Sequence, residues 1–520
     1  MPTDRAPLGW PRPVAAGAAA AAFGAGAGEL TAALIAPSTS PFASIGALLI
    51  DLAPPWAKDA AIALFGTGDK AALLVGVGVV LLLLGAVAGL LEVRRPRLGR
   101  GLFALAGIVG AIAAMTRANA SVLAFLPAVV GALAAMGALS MLLRRLPAEV
   151  ASRAATSEVE PTVADVDRRR FLAWVGGTAA VGVLAAIAST ALSAGSRAVT
   201  TVREALRLPS PASTATVPAA AELGIDGLAP VITPNGVFYR IDTALSVPQV
   251  DPEEWRLRIH GMVDREVELT WDDLVALPMA ESVTTLACVS NEVGGELIGT
   301  AVWLGTPIRD LLARAAPDAE ADMVLSRSID GFTASTPLEV LTDPDREAVL
   351  AIGMNGEPLP VEHGFPVRMV VPGLYGYVSA TKWVTELQVT RFDRDRAYWS
   401  DRGWSERGPI KLSSRIDVPR PGQSLEAGTV VVAGVAWHQH TGVDGVEVQV
   451  DDGPWRPATL ATAISADTWV QWRYEWEAES GPHTLRVRAT SADGEVQTDE
   501  RAPVAPDGAT GLHERTFDVA

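Results

Sequence analysis

The side chains of this 520-residue chain suited to borderline or soft metals are one thiol, Cys288, and six imidazoles: His260, His363, His438, His440, His483 and His513. A lone cysteine leaves no intrachain disulfide and no multi-cysteine centre, which excludes cysteine-ligated iron–sulfur clusters and zinc ribbons. All six histidines lie beyond the last long apolar run, so no membrane segment offers the paired imidazoles of a b-type haem. No Cys-x-x-Cys-His occurs either. No glycine-rich phosphate motif opens a helix, and Gly294-Gly295 stands alone. What remains is one thiol: a ligand for a soft metal, or a small buried hydrophobe.

The elements that must carry this thiol divide the chain in two. Residues 1–193 are rich in Ala, Leu, Val and Gly and carry a net charge of +4, whereas the remainder carries −21. So acidic a second half argues against nucleic acid as a partner. Apolar runs at 14–35, 71–93, 101–115, 120–143 and 171–193 approach or exceed the roughly 17 to 25 residues that cross a bilayer as helix. Five spans are expected, the third being short enough to admit a re-entrant reading. The stretch from Pro41 to Phe65 is broken by Asp51, Pro54, Pro55, Lys58 and Asp59 and reads as interfacial or re-entrant. Glu29 and Glu92 sit near span ends, where interfacial solvation accounts for them.

Arg94, Arg95, Arg97 and Arg100 follow the second span, and Arg144, Arg145, Arg153 and Arg168 to Arg170 separate the fourth from the fifth. The opposite loops carry only Lys58, Lys70 and Arg117. Positive loops stay in the cytoplasm, so five crossings put everything after about residue 194 outside. Asp167-Arg168-Arg169-Arg170-Phe171-Leu172, followed by a moderately apolar helix, resembles a twin-arginine export signal placed internally; a plain positive flank is the alternative.

Residues 194–234, rich in Ala, Pro, Ser and Thr, read as a linker. After it, short β-patterned segments such as Trp255 to His260 and Val283 to Ala287 mix with short helical ones such as Pro307 to Ala315. This predicts an α+β domain over 235–415, with no repeating βαβ nucleotide fold. From about Gly422 strands recur every ten residues or so: Thr429 to Trp437, Val443 to Val450, Val470 to Trp476 and His483 to Ala489. An immunoglobulin-like β-sandwich over 416–520 is expected, with Trp437, Trp455, Trp469, Trp472 and Trp476 in its core and interface.

The segment Thr284-Thr285-Leu286-Ala287-Cys288-Val289-Ser290-Asn291 resembles the cysteine loop of the sulfite oxidase family of molybdopterin-dependent oxidoreductases. The likeness continues through Ala301 to Leu312, Met354-Asn355-Gly356-Glu357-Pro358-Leu359-Pro360, His363 to Pro372 and Tyr375 to Val384, and covers about residues 230–520. It implies a molybdenum-molybdopterin cofactor with Cys288 as the protein ligand to the metal, and neither haem nor iron–sulfur cluster. It also implies pterin and phosphate contacts from His363, Arg368, Ser379 and Lys382, a catalytic arginine in Arg240, and a loop-orienting role for Asn291.

The implied reaction is oxygen-atom transfer with two-electron chemistry on a small oxygen-atom donor or acceptor. The implied partners are the lipid bilayer, the twin-arginine machinery, an unidentified electron carrier and a second copy bound through the sandwich. The expected location is the cell membrane, multi-pass, with the catalytic domain on the extracytoplasmic side. Two departures touch the substrate. The family's arginine after the cysteine loop is replaced by Glu292-Val293-Gly294-Gly295, and its tyrosine before Met-Asn-Gly by Leu350-Ala351-Ile352-Gly353. Sulfite oxidation proper and reduction of S-oxides or N-oxides both remain open, as does a non-catalytic binding or assembly role.

Overall fold

A computed structural model describes residues 11–35, 39–54, 57, 60, 64, 65, 68–117, 120, 122–145, 162–192, 194–245 and 247–520. Lys58 and Arg153 of the charge pattern lie outside the described residues, as do the side chains of Asp167 and Arg168. The chain forms two compact units, residues 1–198 with 244–247, and residues 199–243 with 248–520.

The first unit is helical: α1 (Pro11–Ile35), α2 (Pro41–Leu52), α3 (Asp69–Arg94), α4 (Leu98–Met115), α5 (Leu126–Arg144) and α6 (Thr162–Leu192). Five of its helices are long and apolar enough to cross a membrane: Pro11–Ile35, Lys70–Arg94, Leu98–Met115, Leu126–Arg144 and Arg169–Ser189. The third apolar run is one continuous helix, while the uncounted segment contributes the 12-residue α2. Glycines set the packing. Gly17 meets the backbone of Gly85, Gly24 that of Gly131 and Gly26 that of Gly182, approaches that any side chain would block. Both acids have local partners: Glu29 accepts from the Ser40 hydroxyl and the Phe42 amide at the start of α2, and Glu92 pairs with Arg100.

The second unit begins inside α7 (Ala194–Ala205) and is built from four sheets. In the first, β1 (Arg256–Gly261) lies between β2 (Val267–Thr270) and β10 (Val384–Thr390), with β5 (Met323–Ser328) and β6 (Thr333–Pro337) beyond. The pairing of β1 with β10 is parallel and the others are antiparallel. The second sheet runs β3 (Ala280–Ala287), β4 (Ile298–Pro307), β7 (Val349–Met354) and β8 (Glu357–Pro358), and β9 (Arg368–Val370) also pairs with β7. Strand β1 alternates as its pattern requires, burying Leu257 and Ile259 and exposing Arg256 and Arg258. In contrast β3 is buried on both faces from Ser282 onward.

The short helices α8 (Trp271–Val275), α9 (Ile308–Ala315) and α10 (Leu338–Thr342) flank these sheets. Helix α9 buries Ile308, Leu311, Leu312 and Ala315, the spacing of a one-faced helix.

The last two sheets are four-stranded and antiparallel. One holds β11 (Ser413–Val418), β12 (Gly428–Trp437), β16 (Val470–Ala478) and β15 (Thr459–Leu460). The other holds β14 (Arg456–Pro457), β13 (Val443–Val450), β17 (Gly481–Ser491) and β18 (His513–Val519). Their shared core includes Val432, Val448, Trp472, Trp476, Val487 and Phe517. Trp469 is also buried, but its indole donates to the Val231 carbonyl at 2.9 Å; Trp455 carries Arg488 on its ring.

The expected linker differs from a free tether. From Arg203 onward it is bound along the second unit: Arg203 donates to the carbonyls of Pro358 and Leu359, and the Ala212 amide donates to the Met279 carbonyl. Further on, Glu222 joins Gln471, and Ala229 joins Asp417. Past α7, Pro209, Pro211 and Pro218 interrupt helix but leave the neighbouring amides and carbonyls free to pair with distant strands.

Candidate active site around Cys288

Cys288 follows β3 directly, at the mouth of a closed loop. Its amide donates to the Leu297 carbonyl (2.9 Å), and its carbonyl accepts from the Asn291 amide (3.0 Å). The Asn291 carboxamide oxygen accepts from the Leu297 amide at 2.8 Å, so Asn291 ties both ends of the loop together. The thiol is 9% exposed, with the Ser290 amide 3.4 Å from its sulfur. Burial raises its pKa, against the opposing Ser290 hydrogen bonds.

The cationic candidates gather around one carboxylate and one histidine. Arg368 is 5% exposed and donates only to the carbonyls of His363 (3.1 Å) and Met369 (3.3 Å), while its guanidinium stands 5.0 Å over the Trp303 ring. Among the described residues it forms no ion pair, and burial pulls its pKa down to about 10. The Lys382 ammonium binds Asp242 (2.8 Å) and the Glu362 carbonyl (3.0 Å), and burial lowers its pKa to about 8 despite Asp242. The same Asp242 oxygen accepts from Arg240 at 3.0 Å. Gly364, at φ +113°, lies between the Arg368 and Lys382 side chains, where a Cβ would crowd both.

His363 packs edge-on against Phe238, 5.6 Å between ring centres. Burial, helped by the Arg368 and Lys382 charges, lowers its pKa to about 4, so the ring is neutral at pH 7. Ser379 is fully buried, with its hydroxyl directed at the carbonyls of Leu374 (3.2 Å) and Tyr375 (2.9 Å). Its one proton is thus committed to the turn, and only its oxygen could accept from a ligand.

Two site residues escaped notice as functional in the sequence. Burial raises the Tyr239 pKa, and a Cys288 thiolate would raise it further while Arg368 lowers it. Burial likewise raises Tyr375, to about 12, with a smaller contribution from Cys288. Their signal was adjacency, since Tyr239 precedes Arg240 and Tyr375 opens a quoted motif. Glu292, which stands where the family carries an arginine, is exposed, so solvent screens it, whereas the Asp242 carboxylate is buried beside Arg240 and Lys382.

The donor set fits an anionic, sulfur-bearing cofactor. Among the described residues no three His, Cys, Asp or Glu side chains could together hold a metal ion. A metal at Cys288 would therefore need its other ligands from a bound group. A buried guanidinium without a carboxylate is costly, and an anionic cofactor terminus would offset that cost.

Two depressed histidines make a measurable signature. His513, like His363, is held down to about 4, chiefly by burial. Both folded-state values lie below the ordinary 6.5, so their full contribution is present above that pH and declines as pH falls toward 4. The melting temperature should drop by several degrees over that window. His513→Gln, which keeps an acceptor for the Ile416 amide, should shrink the drop; an equal drop in the variant would refute the assignment.

A sequence profile described as "Oxidoreductase molybdopterin binding domain" matches residues 244–399. The uncharacterized oxidoreductase YuiH of Bacillus subtilis (strain 168) is 34% identical over 158 residues, covering 30% of this chain and 76% of that protein. Mitochondrial sulfite oxidase of Homo sapiens is 31% identical over 322 residues, 52% of this chain and 58% of the relative. The chain thus spans a little over half the length of that relative. The sulfane dehydrogenase SoxCD from Paracoccus pantotrophus is 23% identical with a TM-score of 0.49, over 56% of this chain and 84% of that one. With its cysteine loop, its buried cations and its matched molybdopterin-binding segment, the chain belongs to the sulfite oxidase family of molybdopterin oxidoreductases.

Proposed function

We propose that this enzyme is a membrane-anchored molybdenum-pterin oxidoreductase that transfers an oxygen atom to or from a small substrate outside the cytoplasm. The observation that carries the chemistry is the buried Arg368, without a carboxylate among the described residues, grouped with His363 and Lys382 around Gly364 in the same unit as the single thiol. When bound, the molybdenum-pterin group would supply oxygen-atom exchange and hold two electrons. Cys288 would give it a soft sulfur donor, and Asn291 would fix the loop that aims that sulfur. Arg368, Lys382 and the neutral His363 ring would hold its anionic end, with Ser379 available only as an acceptor. Tyr239, kept protonated, would offer a hydrogen-bond donor beside the sulfur. Metal and pterin analysis of purified protein tests the reading, with about one of each per chain expected from the single-cysteine site.

In this reading the five apolar helices are transmembrane spans with the N-terminus inside, and residues 416–520 form an immunoglobulin-like module that pairs two copies. An unidentified carrier, and no haem of this chain, takes or gives the electrons. Arg169 and Arg170 belong to α6, whose Phe171 is buried among Ala16, Ala19 and Leu142, consistent with an export signal that stays as the fifth span. Replacing Arg168, Arg169 and Arg170 together by lysine keeps the charge but loses the guanidinium pattern. The second unit should then stay cytoplasmic. Protease cleavage of that unit from the outer face at the wild-type level would instead show that charge alone sets topology.

The state of Arg240 favours an uncharged oxide over sulfite. Arg240 and Lys382 share the single carboxylate of Asp242, which offsets one of their two positive charges and leaves less for a dianion than two unpaired cations would. Each missing charge-assisted hydrogen bond is worth about 1.5 to 3 kcal/mol. Hence kcat/KM for sulfite with a dye acceptor should fall at least about tenfold below that for reduction of simple sulfoxides or N-oxides with a dye donor. Sulfite turnover near about 10⁵ M⁻¹s⁻¹, an ordinary value for a physiological substrate, would overturn this.

A further inference from the structure

We infer that the C-terminal pair of sheets holds the cysteine loop in place through two contacts, Arg415 on the loop itself and Thr285 on the strand that enters it. The inference rests on the reading of Cys288 as a metal ligand and gives the C-terminal module a positioning role at the site, separate from pairing of subunits.

Arg415 on β11 is almost fully buried and uses its whole fork. It donates to both Asp417 oxygens (2.6 and 3.4 Å) and, through its other amino nitrogen, to the Gly295 carbonyl at 2.7 Å. Gly295 lies inside the loop that the Cys288–Leu297 and Asn291–Leu297 bonds close. Asp417 is itself held by the Ala229 amide, so the guanidinium is fixed before it reaches the loop. Beside it the His513 ring packs on Gly294, at φ +77°, where no side chain would fit.

Thr285, three residues before Cys288, faces Thr300 across β3 and β4, yet both its backbone groups bond away from β4. Its amide donates to the Asp467 carbonyl (3.0 Å), its carbonyl accepts from the Gln439 carboxamide (3.2 Å), and its hydroxyl accepts from the Trp469 amide (2.8 Å). All three partners belong to loops of the C-terminal sheets. The loop that carries the thiol is therefore gripped on both sides by chain more than 100 residues away, and a planar, multiply bonded guanidinium has little freedom to release it.

Because Cys288 is the sole cysteine, alkylation of the full-length protein freed of metal and pterin reports its exposure alone. At fixed pH, Arg415→Lys, which breaks the guanidinium fork, and Thr285→Val, which also gives up the hydroxyl contact with Thr300, should each raise the labelling rate of Cys288 at least about tenfold, the size expected for losing one or more buried hydrogen bonds. Thr285→Ser, which keeps the hydroxyl, should label like wild type. Val487→Ala, a truncation in the core of the C-terminal sheets, serves as the control for general loosening. It should lower the melting temperature while leaving labelling unchanged. Unchanged labelling in Arg415→Lys or in Thr285→Val overturns the inference, as does an equal rise in Val487→Ala. If Cys288→Ser keeps wild-type turnover, the metal-ligand reading fails, while the labelling result still decides the grip.

Discussion

Cys288→Ser is expected to cut turnover by about 10³-fold or more while the protein stays folded. A hydroxyl is smaller than a thiol and leaves at most a small void, and the Ser290 amide, 3.4 Å from the sulfur, can bond to either. The fold therefore loses little. The chemistry loses much, because a serine hydroxyl is a hard, weakly acidic donor and a thiolate is the soft ligand molybdenum favours. The pterin should be retained, since Arg368 and Lys382 are untouched. Melting temperature, pterin content and dye-coupled turnover measured on one preparation separate these effects. Wild-type turnover in the variant would remove Cys288 from the metal.

Arg368→Met is expected to weaken pterin retention by about 10- to 100-fold per charge-assisted bond lost, and yet to leave the cofactor-free protein as stable as wild type or more so. The two effects differ in sign because, among the described residues, the guanidinium is buried without a carboxylate, its acceptors being the carbonyls of His363 and Met369. Removing a buried, uncompensated cation relieves a desolvation cost, and methionine still covers the Trp303 ring. Pterin content after dialysis and the melting temperature of the cofactor-free protein are the two readouts. A lower melting temperature with unchanged pterin retention would make Arg368 a structural residue instead.

Legibility followed the range of the interactions. The apolar runs in residues 14–193 are local signals, set by the length of helix a bilayer requires, and the observed helices fall on them. The β-patterns at Val443 to Val450 and Val470 to Trp476 fall on strands for the same reason, since alternation is written in neighbouring residues. The cysteine loop was legible as a motif, which names residue types in order without saying what they touch.

The free-tether reading fell short because composition reports where prolines interrupt helix past Ala205, not that the segment's amides will find Met279 or Gln471. Arg240 looked like a catalytic cation for a related reason: nothing in the order of residue types shows that Asp242, two residues away, takes its guanidinium.

The sequence by itself determined that the chain has an apolar anchor-like half, a single thiol able to serve a soft metal, and the ordered segments of a molybdopterin-binding domain. Only the tertiary structure decided which charges remain uncompensated. Arg240 and Lys382 share the Asp242 carboxylate while, among the described residues, Arg368 stands without one, and this depends on which side chains burial brings within a few ångströms. It also decided that residues 415, 439, 467 and 469 reach back to the strand and loop around Cys288. Such contacts leave no periodic trace, because a hydrogen bond across more than 100 residues is selected by where two surfaces meet, and nothing near either residue in the chain records it.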